Sequence, residues 1–527
     1  MIILTIFILL IASPCFGATY YIDYTLGDNT NNGTSTSTPW KTHPYMQDVD
    51  NCTGGVGTAK PTYTHAAGDK FIFKGGETWP GACFQMGIGV SGTSGNPDIY
   101  TGGQLESTPW GTGYPVFDAE AGLSANYAIV RWTDGALSYT TFNGIKLINA
   151  GTTGASTNTY AIYANAIGEE ITISNNEIIG YCRHGITIHP AGLESNKNWI
   201  KIFGNKISHV TNSIEMGSVS YTGAYRVTDL YIYENEIFDP SSELTDGDHG
   251  DGIHIFSVTG DHVPTISNAY IYKNNFHGNW GGADASTSNT AQVYDENAIE
   301  TLLEMWGNIF SFDNATAERA DWLFSPGYFV GGGSTTIRIY NNTFSSDAIQ
   351  DSQRGAKACI SIGPAIAPGS GGCSNVDIRN NIFSACGIGM MLPGDGCTDS
   401  TINYNWYRKR DYACGISTGG CMMSKYTTTY DSIAAIQAAT TYEDNGLSGD
   451  PLFTSLVAPH NYRLQASSTA INAGATLGAS YSVDILGTSR PQGASWDMGA
   501  YEYDLGQGSQ NELSIGSGVS IGSGITF

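Results

Sequence analysis

One short sequence motif, called the repeated phrase below, occurs eight times between residues 169 and 408. Each copy reads apolar, any, apolar, any two, Asn, any, apolar, as in ITISNNEI, LYIYENEI and IRIYNNTF. The asparagines of the eight copies are Asn176, Asn205, Asn235, Asn274, Asn308, Asn342, Asn381 and Asn405. A fixed phrase separated by insertions of varying length is typical of a solenoid, in which turns stack on one another while their loops differ.

The phrase also indicates what kind of solenoid this is. Its apolar residues alternate at period two, which is the pattern of a strand with one buried face, and the Asn stands where the chain must bend. A second short strand follows most of these bends, for example GITI at 185–188 and GIHI at 252–255. The sequence therefore predicts an all-β fold, a parallel β-helix with a buried ladder of asparagines that bond the turn backbone and one another.

The first residues predict export. Residues 1–13 are almost wholly apolar, are too short to span a bilayer and lead into small residues near Ala18. This is typical of a secretory signal peptide over residues 1–18. Because no other stretch reaches membrane length, we expect a secreted, soluble protein that is extracellular or at the cell surface and has no membrane span.

An exported chain can form disulfides, and nine of its ten cysteines remain after cleavage. Cys386 with Cys397 and Cys414 with Cys421 are close enough in sequence to pair. Cys359 with Cys373 and Cys52 with Cys83 complete a plausible set, which leaves Cys182 unpaired. The spacing does not indicate a zinc site.

The charge balance excludes one class of partner. The chain carries 48 acidic and 23 basic residues, for a formal net charge of -25. Binding to nucleic acid needs clustered Lys and Arg, which this sequence lacks. We expect a monomer with a polysaccharide partner, and a polyanionic polysaccharide would need a bridging cation such as Ca²⁺.

Segments at both ends resemble a known superfamily. Residues 20–42 with Gly75-Gly76-Glu77-Thr78-Trp79, and the motifs DPLF (450–453) and DMGAYEY (497–503), resemble the caps of secreted right-handed parallel β-helix proteins of the pectate lyase-like superfamily. The chain departs from the usual pattern at Ser468 and Leu486. The resemblance implies a single-stranded right-handed parallel β-helix with capped ends. It implies no single reaction, since this superfold hosts lyases, hydrolases, epimerases and noncatalytic adhesins.

The predicted organisation has five parts. They are a signal peptide (1–18), an N-terminal cap with the first irregular coils (19–125), the regular β-helix (126–410), the last coils with a closing module (411–503) and a Gly/Ser-rich tail (504–527). The caps are physically required, because the open end of a solenoid exposes unpaired strand edges.

Alignment of the second strands predicts a catalytic face. It places six residues in one outward column: Thr187, Glu215, His254, Glu300, Ser361 and Gly389. Neighbouring strands lie about 4.8 Å apart, so the two Glu residues would be separated by roughly 9 to 10 Å at the backbone. Such a pair suits inverting glycoside hydrolysis. We therefore predict Glu215, Asp251, His254 and Glu300 as catalytic residues, and the alternative is a set of solvated polar side chains.

The loop before His254 is the densest polar cluster in the chain. Its carboxylates Asp246, Asp248 and Asp251 predict a Ca²⁺ site, since Ca²⁺ takes six to eight oxygen ligands in irregular geometry. The alternative is an Asp/Gly-rich turn whose side chains cap their own backbone.

Four further residues are predicted to bind substrate: His189, Arg226, Lys273 and Trp280. A second outward column is mostly aromatic and includes Phe203, Tyr233, Tyr272, Trp306 and Tyr340. It is either a structural ladder or a track for sugar rings.

These observations predict an exported carbohydrate-active enzyme that cleaves a polysaccharide in a groove on the β-helix face, as a lyase or an inverting hydrolase. Superfamily lyases commonly use Lys or Arg as the base, and no such motif maps onto this chain. The alternative is a noncatalytic glycan-binding surface protein, such as an adhesin or a tailspike-like fibre.

Overall fold

A computed structural model provides the coordinates of the chain. The residues that the structure describes are 17–47, 52, 59–120, 122–132, 137–151, 158–180, 182–190, 199–217, 227–240, 250–256, 266–280, 291–296, 298–312, 322–326, 336–347, 358–362, 373–411, 414, 420–457 and 460–504.

Within these ranges the chain forms three sheets of 12 strands each. Sheet 1 comprises Thr19–Ile22, Lys70–Phe73, Asp98–Gly102, Thr140–Asn143, Ile171–Ser174, Trp199–Phe203, Val227–Tyr233, Ile266–Tyr272, Ile299–Trp306, Thr336–Tyr340, Val376–Arg379 and Thr401–Asn403. Sheet 2 comprises Met86–Ile88, Ala128–Trp132, Tyr160–Ile167, His184–Pro190, Asn212–Gly217, Ile253–Phe256, Ala291–Glu296, Trp322–Pro326, Ala358–Ser361, Ile388–Leu392, Cys421–Lys425 and Thr428–Tyr430. Sheet 3 comprises Thr78–Trp79, Val116–Asp118, Lys146–Ile148, Glu177–Ile179, Lys206–Ser208, Glu236–Phe238, Asn275–His277, Ile309–Ser311, Thr343–Ser345, Ile382–Ser384, Trp406–Arg408 and Leu447–Ser448.

Two small sheets and a few short helices complete the described secondary structure. The small sheets pair Cys373–Ser374 with Cys397–Thr398, and Phe453–Ser455 with Asn461–Leu464. The helices are an α-helix at Ile433–Ala439 and 3₁₀ turns at Gly81–Cys83, Gly103–Leu105 and Ala479–Tyr481. No helix in the described part of the chain is long and apolar enough to span a membrane.

The three sheets are the faces of a parallel β-helix, as the sequence predicted. Successive turns pair strand on strand in parallel, and the last pair of sheet 2 is antiparallel. The inner residues of the repeated phrase stack as one buried aliphatic column, from Ile173 and Ile202 through Met305 to Ile402. Segment 19–125, expected to hold a cap and irregular coils, contributes strands to all three sheets.

The eight asparagines form the predicted ladder. In each rung the Oδ1 of one Asn accepts from the backbone N–H and the Nδ2 of the Asn in the preceding turn. Nδ2 also donates to a carbonyl of the preceding turn, as from Asn205 to Ile173 at 3.0 Å. All eight side chains are buried, and Glu443 follows Asn405 as the last rung.

Because these bonds are buried, we expect Asn235→Ala to lower the free energy of unfolding by about 1 to 3 kcal/mol. The substitution removes the acceptor of the backbone N–H of Asn205, and the Nδ2 of Asn205 and the carbonyl of Ile202 each lose one hydrogen bond. Asn32 is the matched control, since its Oδ1 accepts two exposed hydrogen bonds near the surface. Urea denaturation of both Ala variants measures the difference, and equal values would contradict a stabilising role for the ladder.

The outward aromatic column is a structural ladder. The rings of Phe203, Tyr233, Tyr272 and Trp306 stack with centroids 4.2 to 4.7 Å apart and nearly parallel planes. Each stacked face is therefore covered by the next ring, whereas a sugar needs an open ring face. Tyr481 of the closing module packs edge-on against Trp306, and its hydroxyl donates to Glu304 Oε1 at 2.8 Å.

Four disulfides link the described cysteines. Cys52–Cys83 and Cys414–Cys421 form as predicted, and Cys182 is free and buried. The other two predicted pairs were wrong, because the bonds are Cys359–Cys386 and Cys373–Cys397. These two join residues of neighbouring turns, which stacking brings together although 27 and 24 residues separate them in the sequence. Four disulfides fit a protein of an oxidising, extracellular compartment.

Candidate functional site

The predicted column of Glu215, His254 and Glu300 forms only in part. Glu215 and His254 are direct neighbours on adjacent strands of sheet 2. The next neighbour of His254 is Tyr294, and Glu300 lies in sheet 1, on the strand Ile299–Trp306. The prediction of a Glu-His-Glu face was therefore wrong. The cause is the strand Ala291–Glu296, which occupies the position in sheet 2 that the prediction assigned to the strand of Glu300. Its sequence AQVYDE lacks the alternating apolar pattern by which the other strands were aligned.

The observed column runs along the outer face of sheet 2. Backbone pairing places these residues side by side in successive turns: Arg131, Tyr163, Thr187, Glu215, His254 and Tyr294. Further along the sheet, Ser361 pairs with Met391, so the predicted place of Gly389 was also wrong. We call this surface the sheet 2 face.

A break in alternation brings more polar side chains onto this face. Ala161 and Ile162 are both buried in the core, so Tyr160 and Tyr163 both lie outside, with ring centroids 4.6 Å apart. The same break recurs in the next turn, where His184 occupies the position of Tyr160. The rings of Tyr160 and His184 stack at 4.5 Å. The sequence alignment missed His184 because it assumed strict period two.

Glu215 is the centre of the group. Its Oε2 lies 2.5 Å from Nδ1 of His184 and accepts a hydrogen bond from the hydroxyl of Thr187 at 3.1 Å. The side chain of Glu215 is 13% exposed and that of His184 is 8% exposed. We call the set of Tyr160, His184, Thr187, His189, Glu215 and His254 the Glu215 cluster.

The histidines determine the ionisation of Glu215. Burial raises the pKa of its carboxyl, but the charge and hydrogen bond of His184 and the charges of His254 and His189 outweigh burial and hold that pKa at about 2. Glu215 is therefore a carboxylate at every physiological pH. It cannot serve as the acid of a two-carboxylate hydrolytic pair.

His189 has a fixed tautomer. Its Nδ1 lies 3.1 Å from the carbonyl oxygen of Gly217, which only accepts, so Nδ1 carries the proton and Nε2 has the lone pair. Burial lowers the pKa of His189, while the Glu215 carboxylate opposes that effect. The imidazole also contacts the rings of Tyr163 and Phe256 edge-on. His189 was predicted to bind substrate, and the structure places it near Glu215 on the sheet 2 face.

His254 lies between Glu215 and a buried aspartate. Its Nδ1 is 3.8 Å from Oδ2 of Asp251, and its ring stacks on Tyr294 at 5.4 Å. Asp251 is fully buried, and its Oδ1 accepts from the backbone N–H of Ala291 at 2.9 Å. Asp251 thus bonds the backbone of the adjacent strand and lies beside His254, and a substrate on the surface does not reach it.

Other predicted site residues lie elsewhere. Trp280 is 1% exposed, packs on Phe276 and donates its Nε1–H to the carbonyl of His277, so it is a core residue and its predicted role in sugar stacking was wrong. Lys273 stands at the turn that connects sheets 1 and 3, near Glu234 and Asp484, and is not on the sheet 2 face. Arg226, Asp246 and Asp248 lie outside the described residues.

The predicted Ca²⁺ site stays a prediction, because Asp251 is the one of its three carboxylates that lies among the described residues. A Ca²⁺ ligand needs a carboxylate oxygen directed at the ion. Asp251 instead directs Oδ1 at a backbone N–H and holds Oδ2 near the His254 ring. Among the described residues, no cluster of three or more His, Cys, Asp or Glu side chains suits a metal ion.

The chain matches no protein-family model, and no curated protein matches it. Solved structures do match. Pectate lyase Pel9A is 14% identical with a TM-score of 0.42, over 93% of this chain and 97% of that one. XylC in complex with xylose is 10% identical with a TM-score of 0.46, over 92% and 98%. Native GH136 lacto-N-biosidase from Eubacterium ramulus is 13% identical with a TM-score of 0.43, over 78% and 67%. At these identities the similarity concerns the fold alone.

Proposed function

We propose that this protein is an exported enzyme that cleaves a polysaccharide on the sheet 2 face, at the Glu215 cluster. The observation that carries the proposal is a partly exposed carboxylate among three histidines, with its pKa held at about 2. Side chains with strongly shifted pKa values cluster at functional sites, although structural ion pairs shift them too. The similarity to the pectate lyase, the lacto-N-biosidase and XylC concerns the fold and does not identify the substrate of this protein.

The cluster favours histidines as the groups that exchange protons. His189 offers a neutral imidazole with its lone pair on Nε2, and His254 lies on the other side of Glu215. The carboxylate of Glu215 would stabilise either ring when it takes up a proton, as a buried aspartate does in a serine protease triad. Two-carboxylate inverting hydrolysis has less support, because Glu300 lies in another sheet.

Elimination is the reaction that fits this set best. The base removes the proton next to the carboxyl group of a uronic acid, and the C–O bond to the leaving sugar breaks. The electron pair of the broken C–H bond forms the C=C bond of an unsaturated product, and an acid protonates the leaving oxygen. Histidine is suited to both proton transfers because its ordinary pKa is near neutrality.

Arg131 gives the sheet 2 face a means of binding an acidic sugar. Its guanidinium lies 5.3 Å from the centroid of the Tyr163 ring, and Arg131 forms no ion pair within the described part of the chain. Three strand steps separate it from Glu215, or about 14 Å. The protein as a whole has a net charge of -25 and would repel an acidic sugar, whereas the guanidinium of Arg131 is complementary to a carboxylate of the substrate.

We expect Arg131→Ala to raise KM for an acidic polysaccharide about tenfold, or ~1.4 kcal/mol of binding, with kcat little changed. The matched control is Lys201→Ala on sheet 1, where another cation lies over the rings of Trp199 and Tyr231. Steady-state kinetics of both variants provide the comparison. An unchanged KM for Arg131→Ala would show that the substrate's charge is recognised elsewhere.

The function itself is tested by a screen of the purified protein against acidic and neutral polysaccharides. Reducing ends report any cleavage, and ultraviolet absorbance reports the unsaturated ends that only elimination creates. A parallel set with chelator tests the predicted need for Ca²⁺. Binding without any new ends would support the alternative of a noncatalytic glycan-binding protein.

A further inference from the structure

The first strand of sheet 1 is tied to the fold at the residue that precedes it. The backbone N–H of Ala18 donates to Oδ1 of Asp69 at 2.7 Å. The carbonyl of Ala18 accepts from the backbone N–H of Lys70 at 2.8 Å, so Ala18 already follows the register of the strand Thr19–Ile22. This strand is the edge of sheet 1. Ala18 is therefore held in a defined position where the chain enters the β-helix.

Asp69 is a buried carboxylate held by hydrogen bonds. It is fully buried, and its Oδ2 accepts from the hydroxyl of Tyr63 at 2.8 Å and from the backbone N–H of Ala66 at 2.9 Å. Each partner donates, which is the arrangement that suits an ionised carboxylate. Within the part of the chain that the structure describes, no Lys, Arg or His side chain forms an ion pair with Asp69. A buried charge without a counter-charge is costly.

A second buried carboxyl group enlarges this imbalance. Oδ2 of Asp98 lies 2.7 Å from Nε2 of His65, and Oδ1 accepts from the backbone N–H of Gly68 at 2.9 Å. Burial raises the pKa of Asp98 against the effects of these two partners, and the charge of Asp69 raises it further. His65 is thus engaged by Asp98 and does not compensate the charge of Asp69.

The sequence before Ala18 has the features of a cleavage site. A signal peptidase requires small residues at the last and third-last positions of the signal peptide. Cleavage between Gly17 and Ala18 places Gly17 and Cys15 at these positions. Cleavage after Ala18 would instead place the large Phe16 at the third-last position. The residue types therefore favour the Gly17–Ala18 bond, one residue before the end of the predicted segment 1–18.

We propose that a signal peptidase cleaves the Gly17–Ala18 bond and that the new α-ammonium group of Ala18 forms an ion pair with Asp69, which holds the first strand on the β-helix. In the cleavage step a water molecule adds across the C–N bond, so Gly17 leaves with a carboxylate and Ala18 keeps the nitrogen as an ammonium. That nitrogen already lies at hydrogen-bond distance from Oδ1 of Asp69. The ion pair forms only in the processed chain and does not depend on the proposed enzymatic function.

The other titratable groups around Asp69 are the same before and after cleavage. Four tyrosines and one carboxyl group share its electrostatic environment: Tyr20, Tyr45, Tyr63, Tyr100 and Asp98. Burial raises the pKa of each of these tyrosines, so none of them is ionised at neutral pH. The α-ammonium is therefore the charge that cleavage adds to this environment.

N-terminal sequencing of the exported protein, made from the full-length precursor, tests the cleavage site. We expect the order Ala-Thr-Tyr-Tyr, which begins at Ala18. A chain that begins at any other residue, such as Met1, Cys15 or Thr19, would overturn the proposal.

Urea denaturation of two forms of the protein tests the ion pair. One form begins at Ala18, and the other retains Phe16 and Gly17, which moves the positive charge by roughly 7 Å along the chain. We expect the unfolding equilibrium constant of the Ala18 form to be at least about tenfold smaller, which corresponds to about 1.4 kcal/mol. Equal stability of the two forms would overturn the proposal.

Asp69→Asn, made in both forms, shows whether the difference depends on this carboxylate. Asn keeps an oxygen and the side-chain volume but has no charge, so the two forms should then be equally stable. Asp98→Asn is the matched control, since Asp98 is equally buried and pairs with His65, and it should retain the difference. A difference that persists in Asp69→Asn would contradict the ion pair.

The reactivity of the Ala18 amine tests the same ion pair without a substitution, which covers the case in which Asp69→Asn does not fold. An amine-reactive acylating reagent attacks only the deprotonated amine, and a neighbouring carboxylate raises the pKa of an ammonium. We expect acylation at pH 7 to be at least about tenfold slower in the folded chain than in the urea-unfolded chain, as a rise of one pKa unit requires. Equal rates would overturn the proposal.

Discussion

Glu215→Gln and His254→Ala are each expected to lower kcat by at least ~100-fold, while the melting temperature stays within a few degrees of wild type. Removal of a group that transfers or stabilises a proton in the transition state typically costs that much. Gln keeps the shape of the Glu215 side chain and its position beside His184 and Thr187, so the packing of the strand is preserved. Single-turnover kinetics and thermal denaturation measure the two quantities.

The control is Glu236→Gln, a similar carboxylate on sheet 3. Glu236 lies 2.9 Å from Nε2 of His277 and 3.3 Å from Nζ of Lys206, and these partners lower its pKa against the effect of burial. We expect this variant to retain turnover. Equal losses in Glu236→Gln and Glu215→Gln would indicate a general effect of lost ion pairs. Loss of turnover in Glu300→Gln alone would move the catalytic centre to the strand Ile299–Trp306.

The repeated phrase was sufficient to predict the fold because one residue type is required at one place in every turn. A buried bend leaves backbone groups that a short amide can satisfy from within, and the same amide can bond its copies above and below. All eight predicted asparagines are buried in the ladder, from Asn176 to Asn405.

The disulfide partners were harder to predict, because sequence distance is a poor measure of spatial distance when turns stack.

The site was predictable only where the second strands follow the repeat. Glu215 and His254 lie on strands with the regular apolar pattern, and their pairing was predicted correctly. Tyr294 was missed because its strand has polar residues at inward positions, such as Gln292, which is buried and bonds the Ser311 carbonyl. His184 was missed because Gly185 and Ile186 are both buried, which shifts the outward positions by one. The Glu215 cluster forms where the alternation of inward and outward side chains is locally broken. An alignment that assumes strict alternation therefore does not find all of its residues.

The last rung of the asparagine ladder makes stability depend on pH. Glu443 is fully buried and takes the place of an asparagine. Its carboxyl accepts from the backbone N–H of Asn405 at 3.2 Å, from Nδ2 of Asn405 at 2.8 Å and from the hydroxyl of Tyr407 at 2.8 Å. Burial raises the pKa of Glu443 to about 7, against the opposing effect of these donors, from an ordinary value of 4.5. The cost of burying the charge therefore exceeds what the three hydrogen bonds return.

The direction of the pH effect follows from that raised pKa. Below pH 4.5 the carboxyl is protonated in the folded and the unfolded chain, and its contribution to stability is fully present. As pH rises from 4.5 to about 7 the unfolded chain loses its proton first, so the free energy of unfolding falls, by about 3 kcal/mol in total, and then levels off. Glu443→Gln has no proton to lose and should show no such decline.

Urea denaturation at pH 4.5, 6 and 8 measures this effect as the difference between wild type and Glu443→Gln. Taking the difference cancels the contribution of the other acids, including Glu215, whose lowered pKa places its own effect below pH 4.5. Glu106→Gln, at a partly exposed carboxylate paired with Lys70, is the control and should follow the wild-type curve. Parallel curves for wild type and Glu443→Gln would show that the donors at Asn405 and Tyr407 compensate the buried charge at every pH.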